Sequence, residues 1–154
     1  MFETSAFVCL ALAAVVSATN VRQCPGKSVP ELSKAVQLHE CIKLPCVLKK
    51  NTDQHIVIKF TPEKDVLDLK NSVSAKLFEI DLPFIGVDGT SVCDKIHTED
   101  DQKSGCPLKA GTNYIYKDTF PILSIYPSIQ AEVTWALKAE DKDVICFRVP
   151  VKIS

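Results

Sequence analysis

Seven cysteines stand in the 154 residues, at positions 9, 24, 41, 46, 93, 106 and 146. A thiol can attack an electrophile, hold a metal or pair with another thiol. Cys9 lies inside an apolar run expected to be removed. That leaves Cys24, Cys41, Cys46, Cys93, Cys106 and Cys146. An even number in an exported chain points to three disulfides. Six cysteines allow fifteen connectivities, and sequence alone does not choose among them. Cys41 and Cys46 are close enough to bridge each other, with Pro45 stiffening the turn between them, and a Cys93–Cys106 bridge would close the loop they bound. The spacings are not the paired C-x-x-C kind that binds zinc. With all six paired, no thiol nucleophile remains.

The other reactive residue types are not gathered in sequence. His39, His55 and His97 show no i, i+4 pair and read as structural or exposed. His97 is followed by Glu99, Asp100 and Asp101, but this run lacks the ligand alternation of a calcium loop and reads as a solvated acidic loop. No Gly-x-Ser-x-Gly elbow and no glycine-rich phosphate loop occurs. The expectation is a protein that is not an enzyme, with no cofactor and no metal.

Residues 6–16 (A-F-V-C-L-A-L-A-A-V-V) form a continuous apolar run of signal-peptide length, and Val16-Ser17-Ala18 supplies small or β-branched residues where a signal peptidase reads. Residues 1–18 are therefore expected to be a cleaved signal and 19–154 one mature domain. The run is short for a membrane anchor. The expected location is extracellular, with a lysosomal lumen as the alternative. No Asn-x-Ser/Thr sequon is present. The formal net charge is −1 and no basic stretch stands out, which argues against nucleic acid as a partner.

The elements that must position these residues read as strands. Residues 129–139 (I-Q-A-E-V-T-W-A-L-K-A) put Ile129, Ala131, Val133, Trp135, Leu137 and Ala139 on one face and polar residues on the other, with only Ala136 out of place. That period of two, rich in β-branched and aromatic types, predicts a long strand with one dry face. Residues 144–153 repeat it with Ile145, Phe147, Val149, Val151 and Ile153. Residues 55–60 do so with Ile56, Ile58 and Phe60, and residues 34–41 are expected as a half-buried strand. A helical turn is expected from Thr61-Pro62-Glu63, since Pro suits the first helical position. Residues 72–82 return to strand character with a blurred phase. Residues 87–112 are the least regular. A short strand is expected at 114–117 and an edge or bent segment at 122–126, bracketed by Pro121 and Pro127. Seven or eight short strands and almost no helix predict an all-β sandwich with two inner faces about 10 Å apart.

Several features then coincide in order across nearly the whole mature chain. They are Cys41-x-x-x-x-Cys46, Leu82-Pro83-Phe84, Asp88-Gly89 before Cys93, and Cys106-Pro107. Tyr126-Pro127-Ser128-Ile129, Trp135-x-Leu137 and Cys146-Phe147-x-Val149-Pro150-Val151 follow. Together they make the chain similar to the Niemann–Pick type C2 family of the ML (lipid-recognition) domain superfamily. Twelve residues between Cys93 and Cys106, Phe147 in place of a tryptophan and the missing sequon resemble insect members better than mammalian ones.

The resemblance implies an immunoglobulin-like sandwich of seven strands in two sheets, with disulfides Cys24–Cys146, Cys41–Cys46 and Cys93–Cys106. It implies sheets that splay at one end around an apolar pocket. Phe84, Ile122, Tyr126 and Pro127 line it, with Trp135, Phe147 and Val149 deeper. The implied function is a secreted carrier for a sterol, fatty acid or related semiochemical, acting as a monomer with transient contact to a membrane or receptor. The alternative is an immunoglobulin-like recognition module for microbial glycolipid. A basic rim, with Lys49 and Lys50 or Lys103 and Lys109 as contributors, would favour that alternative. Periodicity alone predicts a packed core rather than a cavity, so the pocket rests on the resemblance.

Overall fold

The computed structural model describes residues 18–154. The expected signal segment, residues 1–18, lies outside the described residues except for Ala18. Ten strand segments follow in order: β1 (Arg22–Gln23), β2 (Val36–Leu38), β3 (Cys46–Leu48), β4 (Thr52–Phe60), β5 (Lys70–Leu77), β6 (Ile80–Pro83), β7 (Ile96–Thr98), β8 (Tyr114–Ile122), β9 (Gln130–Ala139) and β10 (Lys142–Ile153). One α-helical turn, Leu32–Ala35, precedes β2, and a 3₁₀ turn, Cys93–Lys95, precedes β7. One sheet has the order β1-β10-β9-β5-β6, with β3 added in parallel along β10; the other has the order β2-β4-β8-β7. This is the two-sheet sandwich expected. It has more segments than the seven implied because pieces of two or three residues (β1, β2, β3 and β7) pair along longer strands.

The core is built by alternation. On β9 the side chains of Ala131, Val133, Trp135 and Leu137 are buried, and on β10 those of Ile145, Phe147, Val149, Val151 and Ile153. Ile56, Ile58 and Phe60 of β4 face them with Tyr114, Tyr116, Phe120 and Ile122 of β8. Ala136 breaks the pattern for a local reason. It pairs with Cys146, and the Cys24–Cys146 disulfide covers it on the outer face of the sheet. All three implied disulfides are formed, with Cα–Cα distances of 5.8, 5.2 and 5.1 Å for Cys24–Cys146, Cys41–Cys46 and Cys93–Cys106. Cys41 follows β2 and Cys46 opens β3, so their bridge ties one sheet to the other along an edge.

Several local expectations differ. Residues 61–69 form no helix. Val66 instead exchanges two backbone hydrogen bonds with Leu108, at 2.9 and 2.7 Å, which an isolated helical turn could not match. Residues 34–41 hold only three strand residues, preceded by the helical turn. Residues 72–82 are a hairpin, β5 and β6 joined by Phe78-Glu79. Both residues have positive φ, at 48° and 67°. The reversal explains the blurred phase. Residues 122–126 are not a strand: β8 continues from Tyr114 through Pro121 to Ile122 and the chain then loops. Pro121 is tolerated because β7 pairs with β8 only as far as Tyr116, leaving that edge open.

Candidate functional site

The β5–β6 hairpin carries the inner face of its sheet beyond the cover of the opposing sheet. Opposite residues of an antiparallel pair share a face. Ala75 pairs with Leu82 and Leu77 with Ile80. These four therefore continue the inward face begun by Asn71 and Val73. Yet Ile80 is 61% exposed and Leu82 45%. An inward-facing aliphatic left wet means that nothing from the opposing sheet covers it there. Ile85, just past β6, and Ile125, 76% exposed in the β8–β9 loop, add to this apolar rim.

Behind the rim, aromatic rings run inward in contact. Tyr126 meets Phe84 at 5.3 Å between centroids, Phe84 meets Phe120 at 5.8 Å, Phe120 meets Trp135 at 5.5 Å, and Trp135 stacks on Phe147 at 6.4 Å. Phe120 belongs to one sheet and Trp135 to the other, so their contact crosses the sandwich. Edge and tilted contacts at these distances are favourable aromatic packing. The rings meet one another directly along this line.

The backbone fixes the outer rings. Phe84 donates its N–H to Val73 O (2.9 Å), and its carbonyl accepts from Val87 and Asp88. Asp88 Oδ1 accepts from Val73 N (2.7 Å), and Gly89, at φ +76°, donates to Asn71 O. The Asp-Gly pair thus clamps the Phe84 turn onto β5, with glycine where the chain needs a left-handed residue. The Tyr126 hydroxyl donates to Ile85 O (3.0 Å), joining the loop after β6 to the β8–β9 loop, and burial pushes its pKa up. This hydrogen bond makes the hydroxyl an anchor between the two loops.

The innermost ring is held by a buried polar chain. Trp135 Nε1 donates to Asn71 Oδ1 (3.0 Å), and Asn71 Nδ2 donates to the Tyr116 hydroxyl (3.0 Å) and to Thr90 Oγ1 (3.3 Å). Tyr116 in turn donates to Asp118, whose carboxylate pairs with Lys95 at 3.0 Å. Burial, then the bond to Asp118, drives the Tyr116 phenol far above the usual tyrosine range.

Of the seven residues named from sequence, Phe84, Ile122, Trp135, Phe147 and Val149 share one buried cluster and Tyr126 packs against it; Pro127 is exposed in the loop. Sequence reading missed Phe120, the ring between Phe84 and the indole, and Asn71, the indole's partner. Two surface clefts of about 880 and 590 Å³ open elsewhere and include none of the seven. Charged residues such as Lys27, Asp65, Asp68 and Lys138 line much of the larger one.

The two lysine pairs considered for a basic rim lie at opposite ends of β8. Lys50 reaches Ser128 in the β8–β9 loop (2.7 Å), beside the Ile122 end of β8. Lys103 and Lys109 lie in the β7–β8 connection, beyond its Tyr114 end. A nine-residue strand separates the two ends by roughly 27 Å. His39 and His55, sixteen apart in sequence, come together across β2 and β4 with rings 5.6 Å apart, and His55 Nδ1 meets Thr119 Oγ1. Among the described residues no group of three or more His, Cys, Asp or Glu is placed to hold a metal.

Comparison with known proteins matches this architecture. The ML domain family model covers residues 18–153. The chain is 33% identical to the ecdysteroid-regulated 16 kDa protein of Manduca sexta over 70% of each chain. It is 29% identical to NPC intracellular cholesterol transporter 2 homolog a of Drosophila melanogaster over 99% of each. The crystal structure of a Niemann–Pick type C2 protein from Japanese carpenter ant superposes with a TM-score of 0.66 at 25% identity, covering 77% of this chain and 89% of that one. With the two sheets, three disulfides and motif order already in place, the chain belongs to the Niemann–Pick type C2 family of ML domain proteins and resembles its insect members.

Proposed function

We propose that the protein is an exported carrier that shelters one small hydrophobic ligand, a sterol, fatty acid or related lipid, between its sheets and releases it to a membrane or receptor. The single observation that carries this reading is the line of rings from the uncovered inner face of β6 to Trp135. A packed core has no need of exposed inward-facing aliphatics at its edge. A ligand entering there meets hydrocarbon walls whose polar atoms are already satisfied internally. Each Å² of its apolar surface removed from water contributes about 25 cal/mol. The ring contacts mean that a guest enters by displacing side chains, and its own contacts replace those lost.

The reading needs no covalent chemistry. Relatives named as cholesterol transporters support the ligand class. Export is supported by the apolar run at 6–16 and the three disulfides. No helix among the described residues is long and apolar enough to cross a membrane. Titration of the purified mature chain with a fluorescent fatty acid or a fluorescent sterol tests it. Binding at one probe per chain is expected, and Phe84→Asp, which puts a charge against Tyr126 and Phe120, is expected to abolish it with the β-sheet circular dichroism kept. A folded Phe84→Asp protein that still binds would sink the pocket assignment.

A further inference from the structure

We infer that Phe120 is the internal gate of the ligand site and that Trp135, locked by Asn71, is the fixed floor that limits how far an acyl chain penetrates. This rests on the carrier reading above and sharpens it to a chain-like ligand bound methyl end first.

The rings along the line differ in what holds them. Tyr126 is tethered by its hydroxyl to Ile85 O, and Trp135 by its indole N–H to Asn71 Oδ1. Asn71 is only 2% exposed and cannot turn without releasing Tyr116 and Thr90 as well. Rotating the indole would strand a buried donor and a buried acceptor. Phe120 has no polar atom to lose. It is wedged between Phe84 and Trp135 by ring contacts within the apolar core. A hydrocarbon guest can replace those contacts atom for atom.

Displacement therefore has a preferred order. An entering chain turns Phe84 and Phe120 aside and stops at the indole. A flexible chain needs one ring to move at a time, whereas a rigid fused-ring ligand needs several contacts broken at once. The methyl end leads because the deep wall offers a charged head group no free partner: Asn71 and Tyr116 are already engaged with each other, with Trp135 and with Asp118.

Trp135 is the sole tryptophan of the chain, so its fluorescence reports on the floor directly. Stearic acids brominated at successive carbons are titrated into the wild-type protein. Quenching is expected to be strongest with bromine near the methyl end and weakest near the carboxylate. The strongest quenching from mid-chain bromine would mean that the chain runs past the indole, and would overturn the inference. In parallel, a homologous series of saturated acids is compared in wild type and Phe120→Leu, a variant that keeps a hydrophobic side chain there. Affinity should rise several-fold across the series while the length of tightest binding stays the same, because the indole still sets the depth. Affinities equal to those of the wild type throughout the series would overturn the gate while leaving the carrier reading intact. A wild-type protein that binds neither the acids nor a sterol removes the carrier reading itself, and the gate with it.

Discussion

At the Asn71 end of β5, Val92 donates to Leu69 O, Asn71 N donates to Thr90 O, and the Cys93–Cys106 disulfide packs beside Leu69, which is fully buried. At the Leu77 end, the same inward face passes through half-buried Ala75 and Leu77 to exposed Ile80 across the hairpin. One strand thus begins inside a cross-linked, hydrogen-bonded interior and ends as an uncovered apolar shelf. Backbone pairing is continuous along it, from Lys70 to Lys76 against β9. What changes is the cover on its inner face. A binding protein can place its stability and its opening at opposite ends of one strand without breaking the sheet between them.

This division places the largest effect on stability at the covered end. Removing the disulfide there with Cys93→Ala and Cys106→Ala should cost about 3 kcal/mol, the chain-entropy value for a loop of this size. The measurement is a shift of the urea midpoint. Probe stoichiometry in native buffer should stay unchanged, because the bridge touches none of the mouth rings. A double variant of unchanged midpoint would remove the covered end from its role.

The polar chain at the same end makes a pH-dependent contribution. Burial and Asp118 raise the Tyr116 phenol's pKa in the folded protein above its unfolded value. A raised pKa means the folded state holds its proton longer, so the stabilisation is complete below the unfolded tyrosine range. Above pH about 10 the unfolded chain loses this proton while the folded one keeps it, and stability falls by roughly 1.4 kcal/mol per pH unit. Urea midpoints measured on either side of that pH should show the fall, and Tyr116→Phe should flatten it. A fall of equal steepness in Tyr116→Phe would assign it to other groups and leave the Asn71–Tyr116–Asp118 chain without a role in it.

This division also explains what could be read in advance. β9 and β10 were legible because each buries one face along its whole length, so alternation reports burial directly. Ala136 was not, because what covers it is a disulfide on the outer face. The disulfide pairing came from family resemblance, since spacing leaves it open. Asn71 is one polar residue among neighbours such as Lys70 and Ser72, and only the fold reveals that it meets an indole sixty-four residues away. Phe120 was hidden because it falls between the short strand expected at 114–117 and the segment expected after Pro121, whereas β8 runs unbroken from Tyr114 to Ile122. The β5–β6 turn was illegible because Phe78-Glu79 carries neither the Asn nor the Gly that such turns favour.

That last misfit gives the smallest expected change in stability. Phe78 sits at the hairpin tip with φ 48°, 97% exposed. A bulky residue is strained there and an exposed ring gains nothing from burial, so neither local backbone nor packing explains it. Its place beside Ile80 suits contact with an apolar surface during ligand release. Phe78→Asn should relieve the turn and raise stability by about 0.5 kcal/mol, within the cost of a left-handed L-residue that asparagine partly avoids. The same change should slow transfer of a bound fluorescent fatty acid to phospholipid vesicles several-fold while leaving its equilibrium binding unaltered, because Phe78 is not among the rings in contact behind the rim. A variant that is more stable and transfers at the wild-type rate would show that the open end of β5 binds without docking. A variant that loses equilibrium binding instead would place the tip inside the site and erase the distinction between shelf and pocket.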